Sequence, residues 1–201
     1  CALADEFSWA EKRVLGGVRV FVTRPKELAG TLSLRLRKLG AEVVEIPAIQ
    51  TKAREGGAFA EALDTVDAFD WIVFTSPTGV RIFFEEMKRK KLDVRRLAKT
   101  RFAVFGSGSE KELEKYGFYG DLMPEVYDGE HLGMALAAVC EEELAKKDTE
   151  KSLRILIPRA AIGNQELISA LAQVAGLEVS DVPTYDTYYG LDTEEETPAL
   201  D

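Results

Sequence analysis

At 201 residues, 46% hydrophobic and 30% charged, the chain has an ordinary globular composition and room for one large domain or two small ones. A net charge of −9 argues against nucleic-acid binding, which needs clustered cations. No apolar run is long enough to span a bilayer. Two cysteines and one histidine cannot build an ordinary zinc site or a disulfide framework, and they point to a reducing, cytoplasmic setting.

Residues 1–16 read as a leader or linker without the apolar core of a signal peptide. Residues 17–23 predict a buried strand. Pro25 then opens a helix carrying Leu28, Leu32, Leu36 and Leu39, which Gly40 ends. Residues 42–51 (EVVEIPAIQT) predict one long strand interrupted by Pro47, a mark of an edge or an isolated ribbon. Phe59, Leu63 and Val66 mark a short helix. A strand at 70–75 leads to Ser76 as N-cap and Pro77 at the first helical position, ahead of the stripe Val80, Phe83, Phe84 and Met87. The cationic run 88–91 reads as the solvated end of that helix. A strand at 101–105 precedes a capping box from Ser107 to Glu110, whose helix stops near Gly117. Asp128 caps a helix with Leu132, Leu136, Val139 and Cys140 on its apolar stripe. A strand at 153–157, a helix through Leu167, Ile168, Leu171 and Val174, and an extended segment at 178–189 follow. Residues 190–201 are acidic and read as an exposed connector.

Strands alternating with helices predict a parallel α/β sheet covered on both faces, with ligands bound at the carboxyl ends of the strands. Four strand–turn–helix junctions, at 18–25, 71–80, 102–110 and 154–166, are rich in Ser, Thr, Gly and Pro. Helix N-termini carry amides without internal partners and the positive end of the helix dipole, so these junctions suit a polyanionic ligand. The candidate contacts are Thr23 and Arg24; Thr75, Ser76 and Thr78; Ser107, Gly108 and Ser109; Gly129; and Arg159.

Other chemistries are weak. FGSGSEKEL lacks the third glycine of a dinucleotide fingerprint, where Lys111 stands, and no Walker motif occurs. A tight turn with a capped helix is the plainer reading there. His131 beside Asp128 fits a surface or capping role better than catalysis. Cys140 reads as core. Tyrosines in a strand such as TYDTYY usually pack with a wet hydroxyl. Alternation puts Tyr185 and Tyr189 on one face and Tyr188 on the other.

The ordered segments VRVFVTRP, GAEVVEIPAIQT, DWIVFTSPTGV, RFAVFGSGS, DGEHL, RILIPRA and VPTYDTYY resemble uroporphyrinogen-III synthase over residues 17–189. The resemblance implies two α/β domains joined by a two-stranded antiparallel ribbon. Residues 46–52 and 183–189 would be the ribbon and 53–182 one domain. Residues 17–45 would be the first part of the other, whose remainder lies beyond this chain. Cys1 in place of Met agrees with a fragment, which by itself should show little activity. FSWAEKRVLGG resembles the connector of proteins fusing a uroporphyrinogen methyltransferase ahead of the synthase.

The resemblance further implies that hydroxymethylbilane, a polycarboxylate, is closed to uroporphyrinogen III with loss of water and inversion of its last ring. No cofactor or metal is implied. Control of shape is the main task, and one weak acid near the leaving hydroxyl suffices. Tyr185 matches the family's functional tyrosine. The rival readings are a non-catalytic tetrapyrrole- or anion-binding module and a receiver-like domain. The latter needs an acidic cluster at the strand ends, where this chain has Thr, Ser, Gly and Pro.

Overall fold

The computed structural model describes residues 13–189 apart from 25, 47, 55, 147–151 and 164. Expectations for residues 1–12, Pro25, Pro47 and residues 190–201, and for the Leu28 side chain, lie outside the described residues. The contacts divide the chain into two units, residues 1–52 with 187–201, and residues 53–186.

In the first unit, β1 (Arg19–Val22) runs parallel to β2 (Glu42–Glu45). Helix α1 (Lys26–Lys38) links them and ends at Gly40, whose φ of 99° is left-handed and needs glycine. The expected leucine stripe is not what α1 buries. Ala29 and Ser33, one turn apart, are buried, while Leu32 and Leu39 remain exposed. Among the described residues α1 packs on β1 and β2, and small side chains suit its closest approach.

The single strand expected at 42–51 is two strands. After β2 the chain still follows β1, with the Ile46 amide donating to Val22 O (3.0 Å) and the Ala48 amide to Thr23 O (3.1 Å). It then changes partner, and β3 (Ile49–Ala53) lies beside β7 (Leu177–Tyr189) at the edge of the larger sheet. An exchange of hydrogen-bonding partner leaves no mark in hydrophobic pattern, so the two strands read as one.

In the second unit come α2 (Gly57–Asp64), β4 (Trp71–Phe74), α3 (Pro77–Arg89), β5 (Arg101–Val104), α4 (Ser107–Glu114), α5 (Gly129–Lys146), β6 (Leu153–Ala160) and α6 (Glu166–Leu171). The larger sheet has the order β3-β7-β6-β4-β5. Strand β4 pairs in parallel with β5 and β6, and β6 in parallel with β7. Alternation then sorts the core into two layers. Ile72, Phe74, Phe102, Val104 and Leu156 face Phe59, Leu63, Val80, Phe83, Phe84 and Met87 of α2 and α3. Trp71, Val73, Ala103, Ile155 and Ile157 face Leu132, Leu136 and Cys140 of α5 and Leu167 and Leu171 of α6. The sheet is therefore covered on both faces, as continuous apolar strands require. Among the described residues no helix is long and apolar enough to cross a membrane.

Candidate functional site

The carboxyl ends of β4, β5, β6 and β7 share one end of the sheet because these strands run parallel. At the end of β4, Ser76 is extended (φ −157°, ψ 153°). Its Oγ accepts the Gly79 amide at 3.0 Å, and Pro77 follows at the first helical position. Gly79 packs closely, since a Cβ there would lie 3.0 Å from the carbonyl oxygen of Pro158 in β6. The start of α3 is thereby seated against the end of β6.

At the end of β5, Gly106 and not Ser107 caps α4, with extended backbone and no side-chain cap bond. The expected capping box is absent because Glu110 serves elsewhere. Its carboxylate accepts the Gly120 amide at 3.0 and 3.2 Å. The ring of Tyr127 lies 3.1 Å from where a Gly106 Cβ would stand. At the start of α5, the Asp128 carboxylate accepts the His131 amide at 2.7 Å and also contacts Nδ1, which lowers the Asp128 pKa. His131 is thus an exposed capping partner, as its place in the sequence suggested.

Strands β6 and β7 end on an irregularity. Arg159 is in register with Pro183, but Ala160 is in register with Tyr185. Thr184 is the extra residue, and its hydroxyl donates to the Arg159 carbonyl at 3.2 Å. Simple alternation would place Val182 and Tyr185 on opposite faces, yet both join the same core layer. The bulge re-aims Tyr185. Its ring is 6% exposed and its hydroxyl lies 2.8 Å from Ser76 Oγ, across 109 positions of chain.

A cleft of about 210 Å³ opens here. It gathers Thr75, Ser76, Gly129, Arg159 and Tyr185 from the sequence-derived candidates, with Phe105, Ala160, Ile162, Gly163 and Leu167 beside them. Thr78 is half-buried further along α3. Ser107 and Gly108 are exposed on the first turn of α4, and Ser109 is buried under it. None of these four lines the cleft. Thr23 and Arg24 are exposed after β1, in the other unit.

Asp181 is the residue that sequence reasoning missed. Its carboxylate takes a two-pronged bond from Arg159, Nε to Oδ1 and Nη2 to Oδ2, both at 2.6 Å. This bond raises the Arg159 pKa and matches its buried charge. A Cβ on Gly163 would fall 2.2 Å from Arg159 Nη1, so glycine leaves the space the guanidinium fills. The available signal was the strand itself, because an arginine in a buried β6 demands a carboxylate, and parallel β7 offers Asp181. The cleft therefore combines helix-start amides, hydroxyls, a neutralised arginine and a buried phenol. Such a lining can hold carboxylates by directed hydrogen bonds.

The structure resembles a mutant uroporphyrinogen-III synthase from Thermus thermophilus, with a TM-score of 0.59 and 19% identity over 86% of this chain and 64% of that one. In sequence the chain is 36% identical, over 190 residues, to the porphyrin biosynthesis protein HemD of Ruminiclostridium josui. That match takes in 94% of this chain and 36% of the relative. It is 31% identical over 128 residues to a putative uroporphyrinogen-III synthase of Methanocaldococcus jannaschii, covering 63% of this chain and 50% of that protein. The chain thus spans about a third of the first of these relatives and half of the second. The family model for uroporphyrinogen-III synthase HemD matches residues 30–200, and the chain belongs to that family.

Proposed function

We propose that this protein acts as a uroporphyrinogen-III synthase, a lyase that closes hydroxymethylbilane with loss of water and inversion of the last ring. The observation that carries the reading is the buried Tyr185 hydroxyl, 2.8 Å from the serine that caps α3, at the cleft where parallel strands end. Departure of a hydroxyl from an electron-rich pyrrole is intrinsically easy, and uncontrolled closure gives the wrong isomer. The protein's task is to hold the chain curled so that the last ring attacks through its substituted carbon. Amides at the starts of α3 and α5 suit the substrate's carboxylates. Each such contact contributes about 0.3–1 kcal/mol when exposed and about 2 kcal/mol when partly buried. Charge-assisted bonds add about 1.5–3 kcal/mol each. Together these local donors offset the repulsion expected from a net charge of −9.

Tyr185 serves as the weak acid beside the leaving hydroxyl. Thr75, Ser76, Gly129 and Arg159 line the same cleft. In this reading Thr23, Arg24, Thr78, Ser107, Gly108 and Ser109 add contacts from the other strand ends. Residues 46–52 and 183–189 serve as an antiparallel connecting ribbon from the domain of residues 17–45 to that of residues 53–182. The division of contacts near residues 52 and 187 supports this. The Ruminiclostridium relative is long enough to hold a further domain, such as a methyltransferase, beside the matched part. Cys140 is buried in the core, and a chain with two cysteines in 201 residues fits the reducing cytoplasm.

The test is to incubate the complete gene product with freshly made hydroxymethylbilane, oxidise the products and separate isomers I and III. Isomer III in excess is expected. Isomer I alone, at the spontaneous rate, would leave a binding module without turnover.

A further inference from the structure

We propose that Ser76 is a positioning residue: its hydroxyl donates to the Tyr185 oxygen, so that the phenolic proton points into the cleft. The proposal rests on the synthase reading above and gives Ser76 a role other than gripping a substrate carboxylate. A serine oxygen carries one proton and two lone pairs. One lone pair of Ser76 Oγ is taken by the Gly79 amide at 3.0 Å. Its other hydrogen-bond partner among the described residues is the Tyr185 hydroxyl at 2.8 Å. Two arrangements satisfy that distance. If Tyr185 donates, its proton is turned away from the cleft and it cannot act as an acid. If Ser76 donates, the phenol keeps its proton for an incoming group.

The start of α3 selects the second arrangement during reaction. The Gly79 amide belongs to the first turn of a 13-residue helix and brings its positive end to Ser76 Oγ. Accepting that bond polarises the serine O–H and makes it a better donor. Negative charge developing on the Tyr185 oxygen is then met by a donor already in place. The surroundings fix this geometry. Tyr185 is 6% exposed, its carbonyl accepts the Ala161 amide at 2.9 Å, and the bulge at Thr184 sets the direction of its ring.

The step balances. The C–O bond to the leaving hydroxyl breaks, and its electron pair goes with the oxygen. The Tyr185 proton joins that oxygen and water departs. The pyrrole nitrogen supplies electrons to the exposed carbon. The last ring bonds to that carbon through its substituted position, which carries no proton. The bond from there to its original methylene breaks and re-forms at the ring's unsubstituted carbon, and the proton that carbon loses returns to the phenolate.

The experiment is a double-mutant cycle in the complete gene product with hydroxymethylbilane as substrate, reading kcat and KM for isomer III and Tm for each variant. Tyr185→Phe should lower kcat about a hundredfold. Ser76→Ala should lower kcat about tenfold or more with KM within about twofold. Ser76→Thr, which keeps both the cap and the donor, should restore kcat. In the Tyr185→Phe background, Ser76→Ala should cost no further kcat, which a loss of helix capping alone would not produce.

A raised KM with kcat intact would make Ser76 a carboxylate ligand and overturn the proposal. An equal loss of kcat in both backgrounds would overturn it too, by showing that Ser76 acts without Tyr185. Unchanged turnover in Tyr185→Phe while isomer III still forms would remove Tyr185 from the mechanism and Ser76 with it, leaving the synthase reading standing. No isomer III from the unaltered protein would overturn both.

Discussion

All four residues of β4 are buried, whereas β1, just as apolar in its middle, buries Val22 and leaves Phe21 59% exposed. Strand β2 buries none of its residues fully, with Val43 and Val44 half-buried. The local sequence is alike in the two units, since each has a short β-branched strand, a polar turn and a helix. The difference is in the number of layers. Strand β4 sits between β5 and β6 and beneath helices on both sides. Among the described residues, strands β1 and β2 have each other and α1. Two strands do not bury enough surface for independent stability. The propensity to form a strand is therefore local, while the energy that holds it comes from neighbours distant in sequence.

The comparison is broken or upheld most directly by truncating one phenylalanine in each unit. Phe83 is fully buried and meets Phe74 edge-on at 5.4 Å, Phe84 at 5.2 Å and Phe59 at 6.3 Å between ring centroids. Phe83→Ala should cost about 3–5 kcal/mol in urea unfolding, from lost transfer energy and the cavity left behind. Phe21→Ala should change stability by less than about 1 kcal/mol, because most of that ring is already in water. Equal losses would mean that Phe21 is covered in solution and that the contrast between the units does not hold.

Local rules made some of the site legible and hid the rest. Ser76 and Pro77 could be read as a helix start because an N-cap is decided within four residues. Asp128 was legible for the same reason. The capping box at Ser107 failed where a distant group intervened, since the Gly120 amide claims Glu110 and leaves Gly106 as the cap. The continuous strand at 42–51 failed because a change of partner is a tertiary event. Resemblance singled out Tyr185, but no periodicity could show its hydroxyl beside Ser76. A bulge shifts the alternation by one residue, and only the register of β6 against β7 reveals it. Asp181 stayed hidden for the same cause, because its role depends on lying diagonally across from Arg159 on the neighbouring strand.

Two glycines sharpen the comparison with opposite signs. Gly79 begins α3 where a Cβ would meet the Pro158 carbonyl oxygen at 3.0 Å and Ser76 Oγ at 3.4 Å. Gly79→Ala should force α3 away from β6 and cost about 1–3 kcal/mol. Gly30 lies inside α1 with nothing within 4 Å of an added Cβ. Gly30→Ala removes backbone freedom from the unfolded chain and should stabilise α1 by about 0.5–1 kcal/mol. Thermal unfolding followed by circular dichroism reads both. Destabilisation by Gly30→Ala would place a neighbour against that face of α1.

The smallest effect separates the units by acidity. Asp93, before the short turn of helix at Val94–Leu97, accepts the Arg95 amide at 2.9 Å and both prongs of its guanidinium at 2.9 and 2.6 Å. The Arg95 side chain holds the Asp93 pKa down from 3.8 to about 2. A carboxylate depressed in the folded state contributes stability that is fully present above its unfolded pKa and lost as pH falls through the folded value. The window for Asp93 is therefore 3.8 down to about 2. In the other unit, the hydrogen bond from Arg19 to Glu42 raises the Arg19 pKa. That guanidinium itself stays charged throughout the acid window. A plot of Tm against pH should fall as the solution is acidified from 3.8 towards 2, and Asp93→Asn should flatten part of that fall. Asp67, Glu86 and Asp128 are also depressed and keep the remainder of the slope. Because Asp93 stands in water, solvent screening keeps its share small. An identical slope in the variant would show that the Asp93–Arg95 bond does not persist in solution, and the acid sensitivity of this unit would then rest on the other three carboxylates.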